Sequence, residues 1–149
     1  MNENVVKSAF DEVKIEEGFY ALIYQNEGGQ IETAEREIDN SFIQFHFCVK
    51  GKAAFQFNNG NYTLNINEQT SLLLYNPQRS LPIHLDIDPN SSLVSILISI
   101  KKFHGLFSQE ADYIPFLSED NKDKKYYKDG QISPSLSIVL NQLISNNLN

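Results

Sequence analysis

The sequence predicts a mainly β protein: a β-barrel or β-sandwich followed by a short helical element. Three observations carry this. Roughly seven or eight short apolar runs recur at a spacing of about 8–12 residues, each bounded by turn-forming residues. Ten Phe and seven Tyr with no Trp make an aromatic mix that suits strands. Beyond Ile100 the apolar pattern changes from a period of two to a helical one.

Residues 1–17 are charged and weakly periodic, and are expected to form a flexible arm. Residues 19–25 (FYALIYQ) read as a strand, and residues 30–38 as its antiparallel return after the turn at Gly28 and Gly29. Residues 42–50 (FIQFHFCVK) are the clearest strand. Strand side chains alternate, so Ile43, Phe45, Phe47 and Val49 share one face and Phe42, Gln44, His46 and Cys48 the other. Residues 53–57 and 62–66 flank Asn58-Asn59-Gly60-Asn61, whose Asn-Gly pair is a strong hairpin signal. Further strands follow at residues 70–75, ending in Tyr75, at residues 82–87, which include His84, and at residues 93–100. Asp88-Pro89-Asn90 is a turn.

Residues 101–108 (KKFHGLFS) fit two helical turns, and the charge-dense stretch 119–128 an exposed loop. Ser133 then caps a helix with Pro134 at its first position. Leu136, Val139, Leu140, Leu143, Ile144 and Leu148 form its apolar stripe. The helix fades into polar residues with no glycine cap, a pattern expected of a longer polypeptide continuing past Asn149.

The 149 residues are enough for one domain with an ordinary core. The net charge of -7 argues against nucleic-acid or anionic-membrane binding by this chain alone. Cys48 is the single cysteine, so neither an internal disulfide nor a multi-cysteine zinc site can form. No apolar stretch is long enough to span a membrane, and the polar, acidic N-terminus lacks the apolar region of a secretory signal. A cytoplasmic location is expected.

His46 and Cys48 lie two apart on one strand, with His84 on another, and imidazole and thiolate are ligands for zinc, iron or copper. Such a site needs further ligands and support around them, and no carboxylate accompanies His46 on its strand. A lone Cys beside a His is not a nucleophilic triad, and no phosphate-binding or nucleophile-elbow motif is present. The residues therefore predict neither an enzyme nor a bound metal or cofactor.

The order of features runs from an acidic arm through GKAAFQFNNGNYTLNINEQTSLLLYNPQR, a long apolar strand and KKFHGLF to ISPSLSIVLNQLISN. Over most of residues 19–149 this resembles the N-terminal sensor half of AraC-type bacterial transcriptional regulators. That resemblance implies a cupin-like β-barrel of jelly-roll type over residues 18–101, an N-terminal arm over 1–17, and a helical and loop extension over 102–149. It also implies an effector-sensing, dimerising domain whose helix-turn-helix partner, the part that binds DNA, is not in this chain. Metal-binding cupins resemble the region too. Aligned on Gly51, their His-x-His and Glu positions fall at Ile38, Asn40 and Gln44. Aligned on Pro77, their second-motif His falls at Leu81, with His84 three residues further on. These departures favour a metal-free barrel that binds a small organic effector.

The expected ligand-binding residues of the barrel interior are Phe42, Gln44, His46, Cys48, Tyr75 and His84. The expected partners are a small-molecule effector and a second copy of the chain, with DNA reached only through the absent domain and no membrane contact. Two alternatives stand beside this reading: a free-standing metal-dependent cupin enzyme using His46, Cys48 and His84, and a structural dimerisation module with a filled barrel.

Overall fold

The structure, a computed structural model, describes residues 10–57, 60, 62–76, 78, 80–106 and 126–146. Among the described residues, ten strands and two helices follow in chain order: β1 (Asp11–Glu16), β2 (Phe19–Asn26), β3 (Glu32–Arg36), β4 (Phe42–Lys50), β5 (Lys52–Phe57), β6 (Tyr62–Asn67), β7 (Thr70–Tyr75), β8 (Ile83–Ile87), β9 (Ser91–Ser99), α1 (Ile100–Leu106), β10 (Tyr126–Gln131) and α2 (Pro134–Asn146). The strands form two antiparallel sheets. One has six strands in the order β1-β2-β9-β4-β7-β10, the other four in the order β3-β8-β5-β6.

Alternation along the strands fills both faces of the larger sheet. Leu22, Tyr24, Cys48, Leu72, Leu74, Leu93 and Leu97 point toward the small sheet, where they meet Ala34, Ala53, Phe55, Ile66, Ile83, Leu85 and Ile87. The opposite face carries Ile23, Val49 and Val94 under Leu140 and Ile144 of α2, and Ile43 and Ile98 under Phe103 of α1. The helices thus make a third layer, and Ile43, Phe45, Phe47 and Val49 lie between it and the sheet. The Asn-Gly hairpin pairs β5 with β6, and Gly60 takes a positive φ of 89°. Pro134 begins α2, at the position its fixed φ favours.

The structure revises the boundaries in four places. Residues 11–16, expected within a flexible arm, are the edge strand β1, paired with β2 from Asp11↔Ile23 to Glu16↔Phe19. A bulge between Lys14 and Glu16 reverses the alternation there. It lets Glu12 receive a two-pronged hydrogen bond from Arg36 of β3, at 2.8 and 2.9 Å, while Glu16 turns the other way to pair with Lys102 of α1. Residues 1–9 lie outside the described residues.

Second, β3 does not return against β2, whose two edges are taken by β1 and β9. It crosses to the small sheet and pairs with β8. The buried Asn26 side chain fixes that departure. Its amide donates to the carbonyls of Gln30 at 2.8 Å and Ile87 at 2.9 Å, and its oxygen accepts from the Gly28 N–H at 3.0 Å. Third, residues 126–128, expected in an exposed loop, begin β10, which completes the large sheet against β7. The barrel therefore draws strands from outside residues 18–101; the rest of the expected loop, residues 119–125, lies outside the described residues. Fourth, α1 (Ile100–Leu106) begins one residue before the stretch 101–108 and makes the expected two turns or so; residues 107 and 108 lie outside the described residues.

Candidate functional site

Strand β4 runs through the middle of the large sheet, between β9 and β7. Its even-numbered side chains face the small sheet, where Gln44, His46 and Cys48 are buried and Phe42 is half-buried at the rim. Cross-strand register sets what each one meets. His46 lies opposite Ser95 of β9, and Gln44 opposite Leu97.

The polar side chains in this apolar space form one directed chain. Gln44 Nε2 donates to the Leu81 carbonyl at 2.7 Å, a carbonyl that can only accept, so the amide orientation is fixed. Gln44 Oε1 then faces His46 Nε2 at 2.8 Å, which makes that nitrogen the protonated one. His46 Nδ1 must accept, and the Ser95 hydroxyl donates to it at 2.5 Å. The imidazole is thus a neutral Nε2–H tautomer. Burial pushes its pKa down to about 3, in keeping with both nitrogens being committed. The Phe55 ring packs against it with centroids 4.5 Å apart.

At the far end of this chain the buried Tyr24 hydroxyl interacts with the Ser95 side chain. Burial raises its pKa, so it remains an O–H at neutral pH. Tyr24 stacks at a tilt on the half-buried Phe10, centroids 5.6 Å apart. At the Gln44 end the half-buried Tyr20, Phe42 and Leu81 surround the chain, with the Tyr20 and Phe42 rings 6.0 Å apart.

Cys48 shares the interior but not the chain. Its thiol donates to the carbonyls of Gly51 at 3.4 Å and Lys50 at 3.5 Å. Burial, helped by the Glu68 charge, pushes its pKa up to about 12. The thiolate is the reactive form. Iodoacetamide at neutral pH is therefore expected to leave the folded chain unmodified and to label it in urea. Equal labelling rates in both states would contradict the burial of Cys48.

Two expected ligand residues lie elsewhere. Tyr75 is on the helix side of the large sheet, in the cluster of Ile43, Ile98 and Phe103. Leu74 pairs with the inward Gln44, so its neighbour Tyr75 must point outward. His84 is on the outer surface of the small sheet, its side chain 44% exposed and its Nδ1 3.2 Å from Glu35 Oε2. Ile83, Leu85 and Ile87 claim the inner face of β8, which leaves His84 and Asp86 outside. The site gains Ser95, Tyr24 and the Leu81 carbonyl, which were not singled out beforehand. Ser95 had a signal: it is the one polar residue of the run Leu93–Ile98 and shares the inward row with Leu93 and Leu97.

The positions that carry ligands in metal-binding cupins hold a different arrangement. Ile38 is core, and Gln44 is bonded to the backbone of Leu81. His46 and Cys48 sit inside while His84 sits outside, so these three do not converge. Among the described residues, no three His, Cys, Asp or Glu side chains are placed to hold a metal ion.

Two facing antiparallel sheets, helices on the outer face of one and a polar chain within, define a cupin-like β-barrel domain. No protein-family model and no curated protein matches the sequence. Solved structures do match the fold. Apo ToxT, a variant from Vibrio cholerae, superposes with a TM-score of 0.52 at 17% identity, over 87% of this chain and 47% of that one. ToxT bound to a methylnaphthalenyl butenoic acid gives a TM-score of 0.51 at 20% identity, over 87% and 48%. The part of ToxT in question is the N-terminal cupin-like domain of an AraC-family protein. The chain spans about half the length of these structures. None of the described helices is long and apolar enough to cross a membrane.

Proposed function

We propose that this chain is the effector-sensing and dimerisation domain of a bacterial AraC-type transcriptional regulator, and that it binds a small organic molecule in its barrel. The observation that carries the reading is the Gln44–His46–Ser95 chain with Tyr24 at its end: placed, uncharged hydrogen-bonding groups in an apolar interior, the character of a small-molecule site. The fold likeness to ToxT, in one structure bound to a small organic acid, supports it.

Ser95 bonded to His46 has the atoms of a nucleophile and its base, but the chemistry argues against an enzyme. An imidazole whose pKa is about 3 does not take a proton at neutral pH. Dimerisation is assigned to α2, where Ile138 and Val139 are 60% and 57% exposed on the helix that covers the sheet. In this reading DNA is contacted by a separate helix-turn-helix unit and the regulator works in the cytoplasm. Effector binding acts only through a difference in affinity between two dimer arrangements.

The test is thermal unfolding of the chain across a library of small organic metabolites. A ligand at a hundred times its Kd adds about 2.7 kcal/mol, equivalent to about 5–10 °C for a domain of this size. At least one compound is expected to give such a shift, and Gln44→Leu to abolish it. A shift that persists undiminished in Gln44→Leu would move binding out of the barrel. A compound consumed on incubation would favour an enzyme.

A further inference from the structure

An open sheet edge offers main-chain groups to any strand that can align with it, and folded chains guard such edges with charges, prolines or bulges. Among the described residues the two sheets end in four edge strands: β1 and β10 in the large sheet, β3 and β6 in the small one. β1 (DEVKIE) has four charged residues and a bulge, β3 (ETAER) three charges and β10 (YYKDGQ) two. β6 (YTLNIN) has no charge and no proline, and it pairs with β5 along its whole length without a register shift.

The groups that β6 leaves open follow from its last pair, Lys52↔Asn67. The Lys52 carbonyl accepts from the Asp88 N–H at 3.1 Å, and the Lys52 N–H donates to Ser91 Oγ at 3.0 Å, so both point away from β6. Asn67 donates its N–H to Thr70 Oγ1 at 3.1 Å, and its carbonyl accepts from the same hydroxyl at 2.6 Å. Lys52 and Asn67 are therefore a pair without mutual hydrogen bonds. Antiparallel pairs alternate in this respect, so the N–H and C=O groups of Asn65 and Thr63 also point away from β5. Both residues are exposed.

We propose that the β6 edge is a self-association surface, which pairs antiparallel with β6 of a second copy about a two-fold axis at Leu64. In that register Thr63 lies opposite Asn65 of the other copy, and their open N–H and C=O groups meet. Asn67, capped by Thr70, falls beyond the ladder. The side chains match as well. On the inner face Leu64 meets Leu64, and Tyr62, 54% exposed, meets Ile66. On the outer face neutral Thr63 meets neutral Asn65. A two-fold contact requires a patch that suits itself, and this strand sets apolar against apolar and opposes no charges. The contact is separate from α2, which packs on the large sheet, so a chain using both would join dimers into larger assemblies.

The experiment is sedimentation equilibrium of the full chain carrying Ile138→Glu and Val139→Glu, which removes the exposed apolar pair of α2. It runs to about 1 mM, because a short ladder is a weak contact. A monomer–dimer equilibrium is expected, with amide exchange at Thr63 and Asn65 slowing as the dimer forms. Asn65→Pro removes an outward N–H and spares the bonds to β5, as proline does on an edge strand. It should abolish the dimer and leave the Tm within about 3 °C. Asn65→Asp keeps the side-chain shape but sets like charges near the axis. It should weaken the dimer about tenfold at low salt, and salt should restore it. If Asn65→Pro does not fold, Asn65→Asp decides. A chain that stays monomeric to 1 mM would overturn the proposal. So would a dimer of undiminished affinity in folded Asn65→Pro or in Asn65→Asp at low salt, or one whose Thr63 and Asn65 amides exchange at the monomer rate.

Discussion

Gly51→Ala is expected to destabilise the domain by about 2–5 kcal/mol, combining a left-handed backbone penalty with overpacking. Gly51 has a φ of 77° at the turn from β4 to β5, where the chain passes from the large sheet to the small one. A Cβ there would lie 2.1 Å from Ser91 Oγ, 2.7 Å from Ser91 Cβ and 2.8 Å from Ser91 Cα. The last is a backbone atom, so rotating the serine side chain does not relieve the clash. Ser91 is itself held, since its hydroxyl accepts from the Lys52 N–H at 3.0 Å. The turn also sets how β5, and with it Phe55, lies over His46. Urea denaturation measures the loss, which is a large part of the 5–15 kcal/mol typical of a domain. Ser91→Gly in the Gly51→Ala background should restore only part of it. A Gly51→Ala variant within about 0.5 kcal/mol of the parent, the ordinary range for a neutral surface change, would mean that the turn is built differently.

The second large effect is acid sensitivity that begins near pH 6.5. His46 is neutral in the folded chain, with its pKa pushed from 6.5 down to about 3. Between these values the unfolded chain binds a proton that the folded chain refuses, so falling pH favours unfolding. Above about pH 6.5 the residue adds no pH dependence. Each unit below that costs about 1.4 kcal/mol, or about 2 kcal/mol by pH 5. Most carboxylates titrate lower, near pH 4, and Glu12 is pushed lower still by Arg36, so carboxylates add little between pH 6.5 and 5, and the comparison with His46→Gln separates the His46 share from that of the other two histidines. Urea midpoints across that interval should fall in the parent and stay level in His46→Gln. A level parent profile would show that His46 is accessible to protons.

The inner face of β4 was legible because one strand of nine residues carried both an apolar row and a row with Gln44, His46 and Cys48. The Asn-Gly hairpin and the Ser133-Pro134 helix start were legible for the same local reason: the chemistry of a few adjacent residues dictates the backbone. What escaped depends on distant partners. In β1 the alternation is broken by a bulge and masked by charges, and the strand exists because β2 offers an open edge and because Arg36 and Lys102 reach its glutamates. β10 contains Asp129-Gly130, which reads as a turn, and is held by pairing with β7, more than fifty residues earlier. Tyr75 shows the limit of alternation itself, whereas the outward place of His84 follows from it. β7 is apolar on both faces, so its pattern does not say which face is inner, and the register with Gln44 decides it. β8 is amphipathic, and its apolar row, not its histidine, takes the interior. The link from His46 to Ser95 joins residues 49 apart in the chain, and only the β4–β9 register makes it.

The nitrogen resonances of the His46 imidazole test the central claim most directly, because that ring joins the Gln44 and Ser95 ends of the interior chain. In a histidine-labelled sample followed from pH 8 to about pH 4.5, well above the folded value, the account predicts one neutral Nε2–H ring: Nε2 of pyrrole type, Nδ1 of pyridine type, neither moving with pH. A ring that titrates near pH 6.5, or that carries its proton on Nδ1, would break the chain at its centre and contradict the site.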